Sequence, residues 1–329
     1  MAKKKRRLGR KFLYFFLSFV LFLYLNNSNL FISVEPASPK ILAHRAAGQA
    51  YERGNLTSET CTAAQSLETA HPYLENTLSS IKAAFEMGAD IVEFDVQRTT
   101  DDRFALFHDW TLDCRTEGEG RTRDHDLAYL QSLDIGYGYS RDAGKSFPFR
   151  GKGVGLMPSL EEVLDSFPDK RFLIDIKSND PKEGKLLAQK LATRLARRRG
   201  ELMIYGGRKP VEEVLKQLPD LRHITRPKLK SCLKRYMLLG WIGYVPEACK
   251  NCVLTIPSNI APWLWGWPYK FSQRIDAVNS EVVLLGPYGG QGFSTPFDEV
   301  EKALQLPENY SGYIWTDRIE ILGPALKKD

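Results

Sequence analysis

From residue 39 onward, short runs of β-branched and apolar residues alternate with longer stretches in which apolar positions recur every three or four residues. The runs at 41–43, 91–96, 172–176, 202–205, 221–225, 252–256, 281–285 and 312–315 have the length of buried strands. The stretches at 75–87, 160–166, 184–199, 211–217, 229–239, 263–279 and 297–306 carry helical periodicity. Alternation of this kind predicts parallel strands joined by right-handed helical crossovers. Eight such units predict an α/β fold of the TIM (β/α)8 barrel type over 39–329, with an open doubly wound sheet as the alternative.

One interval breaks the pattern. About 60 residues separate the second strand from the helix at 160, so an insertion is expected at about 98–158. Its first part, 98–108, reads as a hairpin turning at Thr100, Asp101 and Asp102, and the glycine-rich part, 137–155, as an irregular lid. Loops of this length in compact domains are often functional.

Before residue 39 the pattern is different. An apolar stretch from Phe12 to Leu25, broken only by Ser18, follows seven basic residues between Lys3 and Lys11. Fourteen residues are short of the roughly 20 that a helical span takes, and the apolar residues among 30–34 extend the stretch. The order predicts a basic cytoplasmic tail (1–11) and a signal anchor or transmembrane segment (12–34). The barrel then lies outside the cytoplasm, on the periplasmic side of the inner membrane if the source is bacterial, and is secreted if the anchor is cleaved.

Charge sharpens this picture. Of 46 basic residues, removing those seven leaves 39 against 40 acids, so the formal +6 belongs to the tail and not to the barrel. A nucleic-acid groove needs a basic excess on the domain itself and is not expected. No obligate protein partner is evident either. The five cysteines suit an oxidising compartment. Cys61 and Cys114, in loops after early strands, are the first expected bridge. Cys249 and Cys252 form a C-x-x-C that, lacking a second ligand pair, reads as structural pairing and not as a zinc site.

The strand at 91–96 carries Glu93 and Asp95 two residues apart, so both side chains project to one face. In a barrel strand that face is the interior, where two carboxylates repel unless a cation neutralises them. A hard divalent metal with oxygen ligands answers that need. Asp175 and Lys177 repeat the spacing at the carboxyl end of another apolar run, the end at which barrels carry their chemistry. Asp175 can complete a carboxylate trio, and Lys177 can hold an anionic group. His44 and His108 fall at the same face and suit a division of labour between general base and general acid. Arg45 offers a fork matched to phosphate. His71, His125 and His223 are given no catalytic role.

In this order the motifs resemble the glycerophosphodiester phosphodiesterase family. They stand as His44-Arg45-Ala46, Leu74-Glu75-Asn76-Thr77, Gly88-Ala89-Asp90 followed by Glu93-Phe94-Asp95-Val96, His108-Asp109, Arg115-Thr116-Glu117-Gly118-Glu119-Gly120, Asp175-Ile176-Lys177 and Thr316-Asp317. The resemblance implies metal-dependent hydrolysis of glycerophosphodiesters to an alcohol and glycerol phosphate. His44 and His108 are then catalytic, Arg45 and Lys177 bind phosphate, Glu93, Asp95 and Asp175 hold Mg2+ or Ca2+, and Glu75 has a secondary orienting role. Three positions depart from the family pattern, where Ala46, Leu74 and Asp175 replace glycine, proline and glutamate. Asp175, the anchor and the aromatic segment Trp263, Trp265, Trp267 and Tyr269 motivate an alternative, a phospholipase D-like or lysophospholipase D-like activity on lipid phosphodiesters. A non-catalytic anchored binding protein is the remaining alternative.

Overall fold

Residues 41–43 are all apolar and leave no polar face, so the strand they form must be covered on both sides. That strand, β1 (Lys40–Ala43), is the first of the barrel in a computed structural model that describes residues 2–30, 32–54, 56–57, 60–195, 200–290 and 295–327. It is followed by β2 (Ile91–Arg98), β3 (Phe104–Leu106), β4 (Phe172–Ile176), β5 (Leu202–Gly206), β6 (His223–Ile224), β7 (Val253–Pro257), β8 (Glu281–Leu285) and β9 (Tyr313–Thr316). Eight of these run parallel in the order β6-β5-β4-β2-β1-β9-β8-β7. A single parallel bridge between His223 and Cys252 joins β6 to β7 and closes the ring. The expected barrel, and not the open sheet, is the fold. The remaining strand, β3, pairs antiparallel with the end of β2, which is the hairpin expected at 98–108.

The helices are α1 (Ala2–Asn27), α2 (Leu78–Glu86), α3 (Leu127–Ser132), α4 (Leu160–Ser166), α5 (Pro181–Leu195), α6 (Arg208–Gln217), α7 (Arg226–Leu239), α8 (Tyr269–Asp276), α9 (Val300–Leu304) and α10 (Ile319–Leu326). Local chemistry explains where they depart from the sequence pattern. The Thr77 hydroxyl caps α2 in a reciprocal box with Ser80, so Glu75 stays in the preceding turn and not in the helix. The Thr225 hydroxyl accepts from the Lys228 N–H to cap α7, without a reciprocal bond, and ends β6 early. The helix expected over 263–279 begins only at Tyr269, because Gly266 adopts a left-handed backbone and Pro268 follows. The end of the helix expected at 184–199 falls on residues 196–199, outside the described residues.

Apolar side chains fill both sides of the ring. Leu42, Ile91, Leu173, Met203, Val253 and Val283 form the inner cluster, while Ile41, Val92, Phe94, Ile174 and Ile204 pack outward with the helices. The insertion is more than an irregular lid: Phe107, Leu112, Leu130, Tyr139, Phe149 and Met157 give it a separate small core. The Cys61–Cys114 disulfide ties it to the loop after β1, as expected. Cys249 is also paired, but with Cys232 on α7. Cys252 is a buried thiol, directed instead at the Ala248 and Lys250 carbonyls.

At the amino terminus a single helix, α1, occupies most of the expected anchor, and Phe31 of that segment lies outside the described residues. Among the described residues no helix is long and apolar enough to cross a membrane. A spanning anchor is therefore not seen in the fold.

Candidate active site

Strand register builds the site. Asp95 on β2 pairs with Asp175 on β4, which pairs in turn with Tyr205 on β5, so these three share one level at the carboxyl end of the barrel. Glu93 lies two residues below Asp95 on the same inward face. Oxygens of Glu93, Asp95 and Asp175 all lie within 4.8 Å of one another, and all three residues are buried. The expected convergence of the trio is observed. Gly206, just above, has φ +128°, and a Cβ there would strike the Ile176 carbonyl at 2.4 Å and sit 3.0 Å from Asp175 Oδ1, so only glycine leaves this rim open.

Each carboxylate is oriented by a neighbour. Glu93 accepts from the Arg45 backbone N–H (2.8 Å) and from the Tyr205 hydroxyl (2.6 Å). Asp95 Oδ2 accepts from Asn76 Nδ2 (2.9 Å), and Asn76 Oδ1 accepts from the Asp95 N–H (3.2 Å). Both devices need tight backbone: Arg45, Ala46 and Asn76 have φ of 56°, 65° and 58°. The left-handed conformation is cheap for asparagine but costs alanine roughly 1 kcal/mol. Ala46 thus reproduces, at some strain, the turn for which the family pattern uses glycine.

Cations face the trio. Lys177 Nζ lies 3.1 Å from Asp175 Oδ2 and 3.3 Å from Asp95 Oδ1. The Arg45 guanidinium lies 3.6 Å from Asp95 Oδ2 and 3.3 Å from Glu75 Oε1. Glu75 therefore serves the arginines, being also 3.3 Å from Arg115 Nη1, and is not grouped with the acidic trio. Among the described residues, Asp95 Oδ1 and Arg45 Nε are buried with no hydrogen-bond partner.

The two histidines are braced alike. His44 Nδ1 bonds Asp317 Oδ1 at 2.7 Å, with Asp317 also paired to Arg53, while Nε2 lies 3.8 Å from Glu93 Oε2. His108 Nδ1 bonds Asp109 Oδ1 at 2.7 Å, and Asp109 is held by Arg115 (2.8 Å). A carboxylate on Nδ1 fixes each ring with its N–H there and leaves Nε2 as the basic nitrogen. Arg115 is itself locked by the Tyr139 hydroxyl and Thr62.

Electrostatics follow from this crowding. Burial, then repulsion from Asp95, pushes Glu93 up to about 7. Burial opposes ionisation of Asp95, but Lys177, His108, Arg45 and His44 outweigh it and hold Asp95 below the ordinary carboxylate range. Burial raises Asp175, with Lys177 opposing. Burial lowers His44 and His108 to about 4, and the nearby Arg45 and Lys177 add to this for His108. Both histidines are therefore neutral near pH 7 in the absence of other ligands.

This donor set fits a divalent cation. Three buried carboxylates that resist joint ionisation, one with an oxygen that accepts no hydrogen bond, have the oxygen chemistry of a hard-metal site. Beside it, two cations and two imidazoles form an anion-binding, proton-transferring face. Tyr205, Asn76, Asp109, Arg115 and Asp317 take roles that the sequence motifs do not assign. Four of these sit inside those motifs. Tyr205 carries no local mark and is identified only by its register with Asp175. In the aromatic segment, Trp265 and Trp267 pack against the core, and Trp263 is exposed.

Known proteins similar to this chain belong to one family. The model of the Glycerophosphoryl diester phosphodiesterase family matches residues 44–203, which contain every expected site residue. A glycerophosphodiester phosphodiesterase of Bacillus subtilis is 35% identical over 248 residues, covering 73% of this chain and 80% of the relative. One from Caldanaerobacter subterraneus is 38% identical over 102 residues, or 31% of this chain and 38% of the relative. The structure of an Oleispira antarctica phosphodiesterase in complex with the product sn-glycerol-3-phosphate shares the fold, with a TM-score of 0.56 at 17% identity over 88% of this chain and 98% of that one.

Proposed function

Because this chain belongs to the glycerophosphoryl diester phosphodiesterase family, we propose that it hydrolyses glycerophosphodiesters to an alcohol and glycerol phosphate. The observation that carries this reading is the meeting of Glu93, Asp95 and Asp175 in one buried cluster, faced by Arg45 and Lys177. The glycerol phosphate bound to the Oleispira relative is a product of the same class.

Glu93, Asp95 and Asp175 would hold the cation, Mg2+ or Ca2+, both oxygen-seeking ions. When bound, such an ion polarises a phosphoryl oxygen and neutralises charge on it. Arg45 and Lys177 pair with the remaining phosphate oxygens and stabilise the charge that grows in the transition state. Nε2 of one neutral histidine removes the proton from the attacking hydroxyl, while the other acts as acid only after the negative charge of the bound phosphodiester has drawn a solvent proton onto its Nε2, which it then gives to the departing alkoxide. Asp317 and Asp109 keep both rings in the required tautomer. Glu75 positions Arg45 and Arg115.

The basic-then-apolar order of the first 27 residues supports a location at a membrane, with α1 as the attachment. Phe12, Phe15, Phe16, Leu17 and Leu21 are exposed on it. The disulfides Cys61–Cys114 and Cys232–Cys249 support an extracytoplasmic barrel. A panel of glycerophosphocholine, glycerophosphoethanolamine, glycerophosphoglycerol and lysophosphatidylcholine tests the activity. Release of glycerol phosphate from the water-soluble diesters is expected. Cleavage confined to lysophosphatidylcholine would move the assignment to the lipid-directed alternative.

A further inference from the structure

The carboxyl end of α1 is bonded to the barrel. Asn26 Nδ2 and Asn27 Nδ2 both donate to the Trp241 carbonyl (2.7 and 3.0 Å), and Arg274 donates to the Asn26 carbonyl (2.7 Å) and to Asn27 Oδ1 (3.1 Å). Asn29 Nδ2 donates to the Trp267 carbonyl (2.9 Å), while Asn29 Oδ1 accepts from the Lys270 N–H (3.0 Å). Two turns further into the helix, the Phe19 ring meets Trp241 edge-on at 5.7 Å. The carboxyl end of α1 is thereby fixed to the barrel, while the apolar residues before it stay exposed.

Beside this junction lies an apolar surface that the barrel leaves open. Leu238 is 70% exposed, Met237 40%, Ile242 47% and Tyr244 50%, all within the last turn of α7 and the turn that follows it. Helix α7 carries five basic residues and no acid, and its Lys230, Lys234 and Arg235 are exposed. The exposed acid nearby, Glu247, is paired with Lys250 at 2.7 Å. Apolar side chains flanked by lysine and arginine, continuous with an exposed apolar helix, are complementary to an anionic lipid surface. Patches of this kind on a soluble domain mark an interaction site.

We propose that residues 237–244 at the end of α7 form a second lipid contact that, together with α1, seats the barrel on an anionic membrane with its catalytic end facing away. This rests on the placement of α1 at a membrane, and it fixes an orientation that placement alone does not. The turn at 240–244 lies between the end of α7 and the start of β7, hence at the amino-terminal end of the barrel. Asp175 and Lys177 lie at and just beyond the carboxyl end of β4, and Asp95 is level with Asp175 on β2. Seated this way, the mouth opens to water, and the substrate class is a water-soluble diester in place of one embedded in the same bilayer.

The test uses the full chain with vesicles of phosphatidylcholine and phosphatidylglycerol, and of phosphatidylcholine alone. An environment-sensitive fluorophore is placed at Ile242→Cys and, as the aqueous control, at Lys152→Cys in the insertion. The expected result is flotation with the anionic vesicles, shielding of the label at 242 by lipid and full water exposure at 152. Combined Lys230→Glu, Lys234→Glu and Arg235→Glu should lower the bound fraction at least tenfold and leave glycerophosphocholine hydrolysis in solution unchanged. Flotation with the label at 242 still in water overturns the patch and spares α1. Failure to float on either vesicle overturns both, while hydrolysis in solution is scored separately. Shielding at 242 without lipid, with a doubled sedimenting mass, assigns the surface to a second copy and also overturns the proposal.

Discussion

Tyr205 reaches across two strand positions of the barrel to donate its phenolic hydrogen to Glu93 Oε1 at 2.6 Å. From the same level it is the register partner of Asp175. One residue thereby links two of the three acids that converge in the site. Its own proton is tightly held, because burial and then the charges of Asp175 and Glu93 raise its pKa well above the ordinary phenol value.

Removing that hydroxyl isolates its orienting effect. Tyr205→Phe should leave the fold intact and weaken divalent-cation affinity about 10-fold or more, as loss of partners behind metal ligands does. Titrating the metal-free protein with Mg2+ or Ca2+ and following the heat released checks this. Unchanged affinity would show that Glu93 needs no help from Tyr205.

Arg115 is buried between Asp109 and Glu75. Arg115→Met leaves both carboxylates without their partner and should cost about 3–5 kcal/mol of stability, the range for breaking a buried ion pair from one side. Denaturant unfolding measures it. A loss below 1 kcal/mol would mean that the insertion relaxes and hydrates the acids.

His44→Asn and His108→Asn should each lower kcat by about 10²–10⁴-fold, the usual contribution of a positioned proton-transfer group. Neither residue belongs to the acidic trio, so cation affinity should stay within a few-fold. Single-turnover assays beside metal titrations separate the two effects. Equal loss of affinity and rate would assign the histidine to the metal site.

Much of this architecture was legible in the chain. Residues 91–96 place two acids, and residues 172–177 an acid and a lysine, two positions apart on apolar strands, a pattern that an interior polar site explains. What could not be read there depends on tertiary register or on breakers. Tyr205 sits in Leu202-Met203-Ile204-Tyr205, which locally is an ordinary buried strand, and it acquires a partner only when β4 and β5 align. Helix α10 was missed because Gly323 and Pro324 look like a stop, yet its apolar Ile319, Leu322 and Leu326 cover the barrel. Cys232 was not seen as the partner of Cys249, since the packing of α7 on the turn 247–249 brings them together. The apolar amino-terminal run was read as a span, whereas the helix it forms falls short of one.

The raised pKa of Glu93, about 7, has a consequence for stability in the metal-free protein. A carboxyl that binds its proton more tightly when folded than its unfolded value of about 4.3 disfavours the folded state once it must ionise. The penalty from this group is absent below about pH 4, grows between there and about pH 7, and is constant above. Under chelation, Glu93→Gln should therefore match the wild type in Tm at pH 4 or below and exceed it by several degrees at pH 8. A Tm difference independent of pH would contradict the burial of an uncompensated carboxyl. Added cation should reverse the order at pH 8, because the wild type alone gains the full ligand set.

The convergence of Glu93, Asp95 and Asp175 is tested most directly by cation removal and return during catalysis. Protein treated with EDTA and dialysed should lose glycerophosphocholine hydrolysis to background, regain it on addition of one equivalent of bound Mg2+ or Ca2+, and fail to regain it when Asp175→Asn or Glu93→Gln is present. Full hydrolysis in excess EDTA, or full rescue of both variants, would contradict the metal site on which the proposed function rests.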